Sequence, residues 1–208
     1  RRLGWLFAAL ALMILLIGVV TMQQMMVIIA QDKALAISEV VKAGLTAHMK
    51  NGIMDRRDYF LNEIKSLHNI RELAIIRSEA VNRQFGAGGQ EKEIDHISRE
   101  VFGQKRPRYL FDNLLLSSSP TIQAYIPYIA SDEGALNCLM CHQVTKGEVL
   151  GVVAITLDLS DYYTIIGIGA LELQAAALFI VLIVGALWLA TTLRRHVMVP
   201  LRRLQANL

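Results

Sequence analysis

Only two cysteines occur among the 208 residues, and only 19% of the chain is charged. No internal repeat is visible in it. Two thiols and five scattered histidines do not assemble the roughly four-ligand set that zinc requires. Gly86-Ala87-Gly88-Gly89 lacks both the G-x-G-x-x-G spacing and a P-loop lysine, so it reads as a surface turn rather than a phosphate cradle. Hydrolase signatures are missing as well. The net charge is +3, and most of the excess is arginine flanking apolar runs, so nothing calls for a nucleic-acid partner.

What the chain has in quantity is apolar length. It is 54% hydrophobic, more than an ordinary soluble domain carries. One run extends from Leu3 to about Ala30, interrupted by Thr21, Gln23 and Gln24. The other extends from about Thr164 to Leu193, interrupted by Glu172 and Gln174. Each holds a stretch close to the ~20 residues that cross a bilayer as a helix. The polar interruptions lie toward the intervening segment, which makes Glu172 an interfacial residue rather than an intramembrane acid. The first run is too long for the apolar region of a signal peptide and reads as a retained anchor. Arg1 and Arg2 precede it, and Arg194, Arg195, Arg202 and Arg203 follow the second run. By the positive-inside rule both termini face the cytoplasm. The expected division is a cytoplasmic tip and first span (1–30), an external domain (31–163), a second span (164–193) and the start of a cytoplasmic linker (194–208). Membrane lipid is the first expected partner.

Both cysteines lie in one pentapeptide, Cys138-Leu139-Met140-Cys141-His142. In a C-x-x-C-H sequence each thiol can form a thioether to a haem vinyl group, and the adjoining His can ligate the iron from one face. A thioredoxin-like pair is expected beside a βαβ pattern and needs no His after it. The reading is therefore one covalently attached haem c, with Cys138, Cys141 and His142 as cofactor-binding residues and His142 as an iron ligand. Such attachment takes place outside the cytoplasm, in agreement with the charge-derived topology.

The external segment reads as a mixed α+β domain. From Gln31 to Gly52 there is no proline, and Leu35, Ile37, Val40, Val41, Leu45 and Met49 suggest an amphipathic helix continuing outward from the first span. Asp55 is the expected N-cap of a helix over about 56–67 that buries Tyr59, Phe60, Ile64 and Leu67. Strands are expected at about 72–77, 108–116, 121–129 and 148–159, with a polar helix over about 91–102. Ser117 to Pro120 would join the middle strands, and Asp158, Ser160 or Asp161 would cap the helix entering the second span. Tyr125, Pro127 and Tyr128 are candidates for the haem edge. Arg106 and Arg108 are candidates for its propionates.

Taken together, the haem motif, the following Gly147-Glu148-Val149-Leu150-Gly151 and the terminal Val199-Pro200-Leu201-Arg202-Arg203-Leu204 resemble a known arrangement. The middle resembles the haem c-containing periplasmic sensor domains of bacterial methyl-accepting chemotaxis proteins and sensor kinases. The end resembles the opening of a HAMP linker. The resemblance implies a PAS-like domain, a small antiparallel sheet with a long N-terminal helix, flanked by two transmembrane helices in the inner membrane with the haem in the periplasm. It also implies a homodimer, and a methionine on the first external helix as second iron ligand. Carried over, that residue is Met49, in Ala47-His48-Met49-Lys50-Asn51-Gly52. This chain departs from the pattern in placing His48 beside it, and His48 is the alternative distal ligand. About 100° of helix separates the two side chains, so only one of them can face the iron. Met54 and Met140 are further candidates.

Two functions follow from different classes. One is a membrane-anchored sensor of redox state or a diatomic gas, signalling across the bilayer. The alternative is a membrane-anchored electron-transfer cytochrome, a subunit of a respiratory or photosynthetic complex with a redox partner. A haem enzyme is not expected, because no distal acid–base set accompanies His48.

Overall fold

The computed structural model describes residues 2–86, 92–112, 119–133 and 137–199. In chain order the elements are α1 (Arg2–Lys50), a 3-10 turn (Met54–Arg56), α2 (Arg57–Lys65), β1 (Ile70–Arg77), α3 (Glu79–Phe85), α4 (His96–Gln104), β2 (Arg108–Asp112), β3 (Thr121–Ile129), a 3-10 turn (Cys138–Met140), β4 (Val149–Asp158), α5 (Ser160–Leu193) and a π-helical turn (Arg194–Met198). They form a mixed α+β protein with two long apolar helices. Two compact units result: the described residues up to Met25 with those from Thr164 onward, and Met26–Tyr163.

The first unit is helical. Two helical stretches are long and apolar enough to cross a membrane: Ala9–Lys50 within α1, and Leu171–His196, which runs from α5 into the π-helical turn. Large apolar side chains stand exposed along them, Leu12, Phe179 and Leu187 among them. Gln174 lies directly against Gly18: a Cβ on residue 18 would overlap the Gln174 carboxamide. A residue without a side chain lets the amide approach the helix backbone this closely. The Thr21 hydroxyl donates to the carbonyls of Ile17 (2.9 Å) and Gly18 (3.0 Å), so it is satisfied within its own helix.

The second unit is built on a four-stranded antiparallel sheet in the order β1-β4-β3-β2. β4 is the strongest strand in the sequence, and it takes a central place where both of its faces are covered. Val149, Leu150, Val152, Val153, Ala154, Ile155 and Leu157 are all buried. On one face Ile76, Val101, Tyr125, Val152 and Ala154 form a core against α4, joined by Ile97 and Phe102. Asp95 caps α4 by accepting from Ser98 N at 2.7 Å. Ser78 caps α3 by accepting from Val81 N at 3.2 Å.

Several local expectations are corrected. The buried stripe of outer α1 is Met26, Ala30, Ala34, Ser38, Val41 and Leu45, whereas Leu35 and Val40 are exposed. Small side chains take positions where the helix lies close to its neighbours, and periodicity scored by hydrophobicity passes over them. Asp55 lies inside the 3-10 turn, and neither that turn nor α2 has a side-chain cap. Tyr59 and Leu67 are exposed on and just after α2; Phe60, Leu61 and Ile64 are its partly buried apolar residues. α3 was not expected at all. The remainder of the second expected strand, residues 117–118 of its connection and the Pro200-Leu201 linker start lie outside the described residues.

Candidate functional site

β3 and β4 are joined by the segment that carries Cys138 to His142. Its neck is closed by backbone bonds from Ala130 N to Glu148 O (2.7 Å) and from Gly147 N to Ala130 O (2.9 Å). Gly147 has φ +83°, a conformation that favours glycine. Inside the neck, Cys138 N donates to Ser131 O (2.8 Å), Asn137 Oδ1 accepts from Leu139 N (3.0 Å), and His142 N donates to Cys138 O (2.9 Å). Leu139 and Val144 pack on a small buried cluster of Val81, Ala130 and Leu150. The pentapeptide is thus a single 3-10 turn seated on α3 and on the start of β4.

Cys141 and His142 open onto a cavity of about 920 Å³. This lies within the ~300–1,000 Å³ range of small-molecule and cofactor sites. Its apolar lining comes from Leu45 and Met49 of α1, Leu61 of α2, Leu73 and Ile75 of β1, and Phe85 of α3. Met54 contributes a second thioether. Across three strands, Arg77, Gly151 and Tyr128 stand in register, and all three line the cavity. A Cβ at Gly151 would come within 2.9 Å of Ile76 O, so this strand position stays bare. The charged lining is mixed: Arg57, Lys65, Arg77 and Lys92 against Asp55, Asp58 and Glu72.

The sequence-derived residues divide here. Met49, Cys141 and His142 share the cavity. His48 does not line it: its Nδ1–H donates to Gly44 O (2.8 Å) and its ring lies 5.5 Å from that of Phe60. Cys138 lines an adjacent hollow of about 300 Å³ with Thr46, and Tyr128 borders both spaces. The two cysteines are not joined in a disulfide. Met140 is 82% exposed and outside the cavity. Pro127 lines the smaller hollow, and Tyr125 belongs to the core against α4. Arg106 and Arg108 are not on the cavity; Arg108 Nε pairs with Glu100 at 3.3 Å.

The electrostatics suit a neutral imidazole. Burial, and then the Arg77 guanidinium, push His142 below the ordinary histidine range. A neutral imidazole is the form that ligates metals. Its Nδ1 is buried and has no hydrogen-bond partner among the described residues. Leaving such an atom unsatisfied costs about 1–3 kcal/mol, which favours occupation of the site by a group that engages the ring. Burial holds the Tyr128 phenol above its ordinary range, and the Cys138 side chain adds to this, while Thr46 Oγ1 at 2.6 Å opposes it.

The residues present fit a haem: two thiols beside a neutral imidazole, an apolar cavity of suitable volume, thioethers within it and cations around it. Among the described residues no three His, Cys, Asp or Glu side chains converge as a metal cage. A haem iron asks only for axial ligands from the protein. No protein-family model matches the chain, and no curated protein matches it.

The contribution that sequence reasoning missed is α3, whose Gln84 and Phe85 touch Cys141 and His142. Gln84 Nε2 donates to Cys141 O (2.8 Å), and its Oε1 accepts from Gln143 N (2.9 Å). The Phe85 ring meets the His142 ring edge-on at 5.3 Å. The signals were there: Ser78 as N-cap before Glu79, and Gly86 just past the last helical residue.

Proposed function

We propose that the chain is a membrane-anchored protein with one covalent haem c, and that its external domain senses redox state or a diatomic gas and signals across the membrane. The observation that carries this reading is that Met49, Cys141 and His142 line one cavity, with Cys138 in the adjacent hollow that shares Tyr128 with it. Cys138 and Cys141 would hold the haem, His142 would ligate the iron on one face, and Met49 on the other. When bound, a haem supplies a one-electron couple and an iron that can take a diatomic ligand. On this reading the sheet and outer α1 form a PAS-like domain in the bacterial periplasm, the two apolar helices span the inner membrane, and the protein acts as a homodimer. Met49 lies in the last turn of α1, and β4 leads through Asp158 into α5. A change of ligation therefore falls on elements that continue into both apolar stretches, which is where a two-state signal would be biased. The Pro200-Leu201 segment would begin a HAMP-like linker.

The test is expression in a host that matures c-type cytochromes. A haem stain that survives denaturing electrophoresis is expected, and is lost in the Cys138→Ser/Cys141→Ser variant. A chain that matures without covalent haem overturns the reading. The exposed Met140 and Cys141 favour a second reading, an electron-transfer subunit whose haem edge meets a redox partner. Reduction, CO or NO altering both iron ligation and cross-linking between the spans selects the sensor. Fast electron exchange with a membrane complex, with the spans unchanged, selects the relay.

A further inference from the structure

An axial imidazole carried on a loop is only as well oriented as the groups that hold its backbone and ring. Beyond one 3-10 turn, the segment around His142 has no regular structure of its own. Gln84 grips it on both sides of the histidine: the carboxamide donates to the carbonyl of the preceding residue, Cys141, and accepts from the amide of the following one, Gln143. One side chain thereby satisfies both the backbone acceptor and the backbone donor that flank the histidine. Phe85 addresses the ring itself, at an interplanar angle of 78°.

α3 is in turn held at both ends. Ser78 caps its start, and Ser78 N donates to Leu150 O at 3.0 Å, extending the β1–β4 pairing into the cap. Val81 is buried against Ala130 and Leu150. Past the helix, Arg77 Nη1 donates to Gly86 O at 3.0 Å. The grip on His142 is therefore referred back to the sheet.

We propose that Gln84 and Phe85 are positioning residues for His142: Gln84 fixes the peptide on either side of it, Phe85 fixes the plane of its ring, and together they set the orientation of the axial imidazole on the iron. The proposal rests on the haem reading above.

The test uses the full chain in detergent with its haem attached. Gln84→Met keeps side-chain length and helix propensity but removes donor and acceptor. Gln84→Glu keeps the acceptor for Gln143 N and loses the donor to Cys141 O. Phe85→Leu removes the ring contact. Ferric electron paramagnetic resonance reports the axial ring orientation. Shifted and heterogeneous low-spin signals are expected for Gln84→Met and Phe85→Leu, with Gln84→Glu closer to the unsubstituted chain. In the haem-free Cys138→Ser/Cys141→Ser chain, Gln84→Met should speed hydrogen exchange at the Gln143 amide about tenfold. Attached haem with unchanged resonance in Gln84→Met and Phe85→Leu overturns this proposal alone. Absence of covalent haem from the unsubstituted chain overturns it together with the haem reading.

Discussion

The ring of Phe60 fills the place that a side chain on Gly44 would occupy: a Cβ there would overlap the ring at Cζ. His48, one turn further along α1, lies beside the same ring. α2 therefore docks on outer α1 through a glycine, and its Leu61 and Lys65 reach the cavity from that position.

Gly44→Ala should destabilise the protein even though alanine is the better helix former by about 1 kcal/mol. The overlap with Phe60 costs about 1–3 kcal/mol, and Gly44→Val more. Thermal unfolding followed by circular dichroism checks this; a raised midpoint for Gly44→Ala would show that the contact is not close.

The carboxylate of Asp158 holds the β4–α5 junction. It is pulled from 3.8 to about 2 by its bonds to Ser160, whose amide donates at 2.9 Å, and by Arg71, whose Nη2 donates at 2.6 Å. A depressed folded pKa gives stability that is present above about pH 4 and lost as pH falls through about 2. Discounted for partial exposure, the contribution is on the order of 1–2 kcal/mol. Asp158→Asn should lose that amount at neutral pH and flatten the stability profile between pH 4 and 2. Denaturant titrations across that range measure both.

Tyr125 donates to Asp95 Oδ2 at 3.0 Å, beneath the cap of α4. Burial, and then this carboxylate, push its phenol up to about 12. Asp95, despite the burial that would raise it, is held below the usual carboxylate range by Ser98 and Tyr125. A raised tyrosine pKa gives stability that is intact below about pH 10 and lost as pH rises through about 12. Tyr125→Phe should cost about 0.5–1.5 kcal/mol at neutral pH and remove the highest phenolate transition from an ultraviolet titration. A tyrosine spectrum that titrates at ordinary pH in the unsubstituted chain would contradict it.

The distal ligand gives the sharpest contrast. In the haem-loaded chain, Met49→Leu should abolish the methionine-to-iron charge-transfer absorption. His48→Gln should keep the absorption while weakening the contact with Phe60. Met54→Leu reads the second thioether. Loss of low-spin ligation in His48→Gln, with Met49→Leu silent, would reassign the ligand to His48.

Much of the fold can be read from residue order because it depends on local chemistry. β4 follows from its β-branched run, the reach of α1 from the missing proline, and the start of α5 from the Asp158-Leu159-Ser160 junction. The buried face of α2 was misread because amphipathic periodicity names a stripe without naming what covers it: Tyr59 and Leu67 are apolar enough to bury, yet among the described residues both stay exposed. α3 escaped because seven residues are too few for periodicity to register, and only its caps mark it.

By itself the sequence determined the pentapeptide, the apolar runs and the alternation of helix and strand, since each depends on residues adjacent or nearly adjacent in the chain. Only the tertiary structure decided between Met49 and His48 for the cavity, because 100° of helix rotation acquires a meaning only once α2 and Phe60 occupy one side. Only it brought Gln84 and Phe85 to His142, across a sequence separation of 57 between Gln84 and Cys141. Contacts of that span are set by how α3 sits on β4, and no local pattern encodes them.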